Sequence, residues 1–141
     1  MIGLKKKSFI FLSLLWIAFI FYNSLQSAPE SSEISGRFVK VLQYVLSWIG
    51  IIVDPSRLSL FIRKAAHLFE FFILTILAFP VVSDNKKCHV LVFLYGIIIA
   101  IIDEMIQFFS PGRCSSAIDV LIDLGGVCGA IFFRLIINKK R

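Results

Sequence analysis

The sequence predicts an all-α, polytopic membrane protein: four transmembrane helices plus an extracytoplasmic amphipathic or re-entrant helical segment. Three observations predict it. Hydrophobic residues make up 58% of the 141, and mean hydropathy is +0.89, too apolar for an ordinary soluble domain. Charged residues contribute 17%, below the roughly 25% typical of soluble domains. The apolar residues, 15 phenylalanines among them, gather into runs separated by short polar stretches. A chain of this length is one domain, 1–141.

Lys5, Lys6 and Lys7 precede an apolar run over 8–25, long enough to cross a hydrocarbon core of roughly 30 Å. A cleaved signal peptide also begins with basic residues and an apolar stretch. Here Ser24-Leu25-Gln26-Ser27-Ala28-Pro29 offers no good small-x-small cleavage site, and proline directly follows Ala28. The run is therefore expected to be retained as the first span. Residues 26–36, rich in Ser, Pro and Glu, read as a polar loop.

The segment 37–62 comes next. Phe38, Val41, Leu42, Val45, Leu46, Trp48 and Ile49 follow helical spacing, with Lys40 and Gln43 on another face. Its uninterrupted apolar part is too short to span, and Asp54-Pro55-Ser56-Arg57 stops it. An interfacial or re-entrant helix is expected rather than a fifth span. The second span covers about 65–82, followed by a polar turn at 83–87. The third covers about 88–107, followed by the turn Ser110-Pro111-Gly112-Arg113, and the fourth covers 117–137. Gly125 and Gly129 in the fourth have the small-xxx-small spacing that lets helices approach closely in lipid.

With four spans, both termini lie on one side. Lys5, Lys6, Lys7, Lys86, Lys87, Arg134, Lys139, Lys140 and Arg141 fall there, the larger share of the 15 basic residues. The positive-inside rule makes that side cytoplasmic. Basic residues that flank apolar runs in this way argue against nucleic-acid binding. Cys88, Cys114 and Cys128 lack metal-ligand spacing and read as small apolar filler.

This topology brings polar residues of three segments to one depth, near the outer face. Arg63, Lys64, His67 and Glu70 lie where the second span enters, and Asp103, Glu104 and Gln107 where the third leaves. Arg113 is in the outer turn, and Asp119 and Asp123 begin the fourth span. Arg63, His67 and Glu70 stand at i, i+4 and i+7, one stripe of a helix. Asp103 and Gln107 are four apart, as are Asp119 and Asp123. Ionisable groups inside a span are costly and usually face a protein interior or water cavity. The expectation is a cleft beneath the outer surface. Pairing of these charges simply to hold the bundle together is the plainer alternative.

The ordered set Arg63-Lys64-Ala65-Ala66-His67-Leu68-Phe69-Glu70, Asp103-Glu104-Met105-Ile106-Gln107 and Pro111-Gly112-Arg113, then Asp119 and the Gly125-Gly126 helix, resembles the VanZ-like membrane proteins. A serine-containing segment after the first span, Ser24 through Ser32, also fits, and the resemblance covers nearly the whole chain. It implies a four-helix protein of the bacterial cell membrane. In the family's founding member it implies a link to reduced susceptibility to teicoplanin-type lipoglycopeptides. It implies little about mechanism.

Two functional classes follow for the cleft. In the first, Arg63, Lys64 and Arg113 bind the phosphate or carboxylate of an anionic amphiphile, such as a lipid-linked cell-wall precursor or a lipoglycopeptide. Glu104, Gln107, Asp119 and Asp123 complete the lining, with membrane lipids as surroundings and an oligomer allowed. In the second, His67 with Glu70 or Asp103 forms a general acid–base pair of a hydrolase or transferase on a similar substrate. No convincing nucleophile accompanies them. No cofactor is expected. A divalent cation, Mg²⁺ or Mn²⁺, held by Asp103, Glu104, Asp119 or Asp123, with or without His67, is a variant. A channel is disfavoured because the acids do not continue into the cytoplasmic half.

Overall fold

Residues 2–82, 88–113 and 115–139 are described by this computed structural model, in which the described residues form helices and no strands. The helices are α1 (Ile2–Leu25), α2 (Ala28–Trp48), α3 (Pro55–Ala78), α4 (Cys88–Phe109) and α5 (Ala117–Lys139). The turn expected at 83–87 and the residue Cys114 lie outside the described residues. Cys88 and Cys128 are free, the first buried and the second exposed.

Two boundaries correct the sequence reading. The stretch 26–36 is not a loop, because α2 begins at Ala28. Ser27 caps it by accepting from the Glu30 amide, while the Glu30 carboxylate accepts from the Ser27 amide at 2.8 Å. This reciprocal box satisfies two amides that a helix start leaves without partners, and Pro29 suits the first turn, where no amide is needed. The segment 37–62 is interrupted before Asp54-Pro55-Ser56-Arg57, as expected, but the next helix begins at Pro55 rather than near 65. The segment contains most of α2, a turn in which Gly50 has φ 74°, and the first turns of α3. Asp54-Pro55 ends one helical stretch and also starts the next: the Asp54 side chain accepts from the Ser56 amide, and Pro55 occupies the first turn.

Among the described residues, three helical stretches are long and apolar enough to cross a membrane: Leu4–Leu25, Cys88–Phe109 and Ala117–Lys139. They are inside-out relative to a soluble protein. Ile98 on α4 and Phe132 on α5 are 57% and 65% exposed, whereas Asp103 and Asp123 on the same helices are 0% and 1% exposed. An apolar exterior around a polar interior is the arrangement lipid favours. α3 has comparable length but carries Arg57, Arg63, Lys64 and Glu70, which lower its hydropathy.

α3 is the centre of the bundle and packs against each of the other four helices. Its closest partner is α5. A Cβ on Gly126 would lie 2.1 Å from the Leu68 carbonyl oxygen, so only glycine permits this backbone approach. The predicted pair Gly125 and Gly129 faces the same helix with ordinary clearance, 3.9 Å to Leu68 and 3.7 Å to Phe72. Below this contact lies an apolar core of Ile20, Phe71, Leu74, Ile99, Ala100 and Val127. At the far end the Arg134 guanidinium covers the Phe79 ring at 4.4 Å. The polar residues collect at the opposite end, above the core.

Candidate functional site

The site begins with Asp103, on the last turns of α4. It is fully buried, and both carboxylate oxygens are fixed by neighbours. Ser24, at the end of α1, donates to Oδ1 at 2.5 Å, and Gln107, one turn further along α4, donates to Oδ2 at 2.9 Å. Ser110, just after α4, donates to the Ser24 carbonyl at 2.8 Å. These bonds fasten the end of α1 to the end of α4. Asn23, beside Ser24, donates to Glu70 Oε1 of α3 at 2.7 Å, and the Trp16 indole donates to the Glu70 carbonyl at 2.9 Å.

His67 stands on α3 between these anchored acids. Its Nδ1 is 3.7 Å from Asp123 Oδ1, 3.8 Å from Asp103 Oδ2 and 3.9 Å from Glu70 Oε2. All three separations exceed hydrogen-bond length. The hydrogen bond that would orient His67 as half of an acid–base pair with Glu70 or Asp103 is therefore not formed. Among the described residues, neither His67 Nδ1 nor Asp123 Oδ1 has a hydrogen-bond partner, and both atoms are buried.

Two clefts, each of about 320 Å³, reach this cluster. One is lined by Arg63, Lys64, His67, Gln107, Arg113 and Asp119, with Leu60, Ala28 and Gly112 at its margins. The other runs beneath α2 along Phe19, Ile34, Phe38, Ile62 and Ala66, and meets Asn23 and Glu70. Arg63, His67 and Arg113 line both. Lys64 donates to Asp119 at 2.6 Å, so its charge is already paired. Arg63 and Arg113 form no ion pair with a carboxylate among the described residues. Burial and the charge of nearby Arg63 lower the Arg113 pKa from its ordinary value, against the pull of Asp103, Glu104 and Glu70. A guanidinium nonetheless stays cationic at any physiological pH.

The structure thus brings together His67, Glu70, Asp103 and Asp123, and places Arg63, Lys64, Gln107, Arg113 and Asp119 along the cleft above them. Glu104 is not among the cleft's lining residues. Its carboxylate accepts from the Ser116 amide in a short hydrogen bond, and it borders a separate, largely apolar cleft with Ile101, Met105 and Phe108. The carboxylates expected as a cation set do not all converge, since Asp119 is taken by Lys64 and Glu104 by Ser116. Among the described residues, the group that does converge is His67, Asp103 and Asp123, with one donor atom from each lying within 4.8 Å of the others.

Asn23, Ser24 and Ser110 were missed as site residues. One signal was available: Asn23 and Ser24 are polar residues closing an apolar run, at the depth where the other spans carry their acids. Ser110 sits in the turn beside Arg113 and carried no comparable mark.

No curated protein and no solved structure matches this chain. The family model described as VanZ/LLP1 matches residues 9–137, which takes in Ser24, the α3 stripe, the acids of α4 and α5 and the segment between them. The chain belongs to the VanZ/LLP1 family.

Proposed function

We propose that this protein binds an anionic, lipid-linked or amphiphilic envelope molecule from the outer leaflet of the bacterial plasma membrane. In this reading α3 also spans, as the second of four along the chain, because it lies at the centre of three apolar helices, and both termini are cytoplasmic. α2 lies along the outer surface, with Phe38, Val41, Tyr44 and Trp48 exposed toward lipid. One observation carries the proposal: a polar cleft and a more apolar cleft meet at Arg63 and Arg113, two guanidinium groups without a carboxylate partner among the described residues. Guanidinium matches phosphate and carboxylate in bidentate fashion, and the cleft beneath α2 suits an acyl or prenyl chain. A lipid-linked cell-wall precursor and a lipoglycopeptide of the teicoplanin class both have this chemistry.

The test uses the purified chain in nanodiscs with a polyprenyl phosphate as probe and the matching polyprenol as control. Binding of the phosphate alone, weakened at least tenfold in Arg63→Gln and again in Arg113→Gln, supports the reading. A tenfold change is about 1.4 kcal/mol, modest for a charged contact. Equal binding of phosphate and alcohol, or indifference to both substitutions, would sink it. The second reading, a membrane-embedded hydrolase or transferase, is favoured by the convergence of His67 with three carboxylates at the cleft floor. Release of inorganic phosphate from the same probe, abolished in His67→Gln, tests that reading.

A further inference from the structure

Three acids, Glu70, Asp103 and Asp123, are buried to 8% exposure or less around one imidazole in the interior of the bundle. Buried charges are normally paired or coordinate a metal. None of the three forms an ion pair with Arg, Lys or a hydrogen-bonded imidazole among the described residues. Glu70 is partly satisfied by Asn23, and Asp103 by Ser24 and Gln107. Asp123 is the exception. It is 1% exposed, and its Oδ1, without any donor, is turned toward His67 Nδ1, which is likewise unpartnered.

The distances explain how both atoms can be satisfied at once. Separations of 3.7 and 3.8 Å are too long for a hydrogen bond. A divalent ion about 2.1 Å from each of its donors holds neighbouring donors roughly 3.0–3.4 Å apart and opposed ones roughly 4.2 Å apart. His67 Nδ1 stands 3.8 and 3.7 Å from Asp103 Oδ2 and Asp123 Oδ1, between those two spacings, and one donor atom of each residue lies within 4.8 Å of the others, so a modest closing of the three completes the set. We propose that His67, Asp103 and Asp123, drawn from α3, α4 and α5, bind one divalent transition-metal ion at the floor of the cleft, with Glu70 Oε2 at its edge.

The donor set selects the metal class. One imidazole and two or three carboxylate oxygens suit Mn²⁺, Fe²⁺ or Zn²⁺ better than Mg²⁺, which prefers oxygen alone, and no thiolate favours a softer ion. Ser24 and Gln107 act as supporting groups. By donating to Asp103 they fix the carboxylate's orientation, and each oxygen keeps a lone pair for a metal. The ion would also tie α4 and α5 to the central helix, replacing like-charge repulsion with shared coordination.

Metal binding is measured on the protein alone, so it stands or falls separately from the lipid reading. The full chain, purified in detergent, is stripped with a chelator and titrated with Mn²⁺ while free ion is followed by electron paramagnetic resonance. One ion per chain is expected, with ¹⁴N modulation from a coordinated imidazole in the bound signal and a higher unfolding temperature. Asp123→Asn preserves shape, and should weaken Mn²⁺ at least tenfold, whereas Glu33→Gln, in an exposed pair on α2, should not. No saturable Mn²⁺ or Zn²⁺ binding by the wild-type chain overturns the proposal and leaves protons to neutralise the acids. So does bound Mn²⁺ without nitrogen modulation, a measurement that needs no variant to fold.

Discussion

The Ser24 hydroxyl donates to Asp103 Oδ1 at 2.5 Å, joining α1 to α4 across 79 positions of sequence. The bond does more than position the acid, since the Ser24 carbonyl also accepts from Ser110 and so ties the residues after α4 to the same point. Ser24→Ala removes a donor from a fully buried carboxylate. Hydrogen bonds to charged groups are worth about 1.5–3 kcal/mol, and loss of that order is expected. Thermal unfolding in detergent reads it. An unfolding temperature equal to wild type would show that the bond contributes nothing to stability.

Gly126 should be far less replaceable than its neighbour. A Cβ there meets the Leu68 carbonyl oxygen at 2.1 Å and the Phe72 amide nitrogen at 3.0 Å, both backbone atoms that cannot rotate aside. At Gly125 the nearest atom is the end of the Leu68 side chain, at 3.9 Å. Gly126→Ala is expected to cost at least the ~1–3 kcal/mol typical of overpacking and to lower folded yield, while Gly125→Ala stays near wild type. Equal behaviour of the two variants would place the α3–α5 contact elsewhere.

The Lys64–Asp119 pair should contribute little to stability despite its 2.6 Å separation. Its side chains are 44% and 31% exposed, so solvent screens the attraction. A double-mutant cycle with Lys64→Met and Asp119→Asn should give a coupling of about 0.2–1 kcal/mol, falling as salt is raised. A larger, salt-insensitive coupling would mean that the pair is shielded from water.

The start of α2 should loosen in acid. Hydrogen bonds from the Ser27 side chain and amide hold the Glu30 carboxylate below its ordinary pKa of 4.5. With the folded pKa depressed, the capping contribution is complete above the unfolded value and is lost as pH falls through the folded one. Hydrogen exchange of the amides following Ser27, corrected for intrinsic rates, should therefore accelerate below pH 4.5. Ser27→Ala should show that faster exchange already at neutral pH. Protection that is the same in both proteins and independent of pH would count against the box.

Topology is tested by single cysteines at Ser31, Ser59, Asn85, Ser115 and the C-terminus, on a background lacking Cys88, Cys114 and Cys128. Labelling in intact cells at Ser31, Ser59 and Ser115, with the other two protected, is the expected pattern. Labelling at Asn85 with Ser115 protected would put the cleft on the cytoplasmic side and remove the outer-leaflet ligand.

Sequence alone determined the helical class and the lipid-like exterior. Apolar runs of about twenty residues leave a chain few other ways to satisfy its backbone. It also determined that His67, Glu70, Asp103 and Asp123 lie at one depth, since alternating span directions carry the start of the span expected from 65, which is the middle of α3, to the level of the end of α4 and the start of α5. The capping box at Ser27 was written in the sequence as well, but its Ser, Pro and Glu have the composition of a loop, and composition masked the helix start. Tertiary structure decided the rest, because depth along a helix is a matter of counting while azimuth depends on how neighbours pack. Asp103 and Glu104 are adjacent in sequence, yet about 100° apart around α4. One turns to His67 and the other to Ser116, and nothing local distinguishes them. The approach of Leu68 to Gly126, rather than to Gly125 or Gly129, sets the rotation of α5, and with it the turn of Asp123 toward His67.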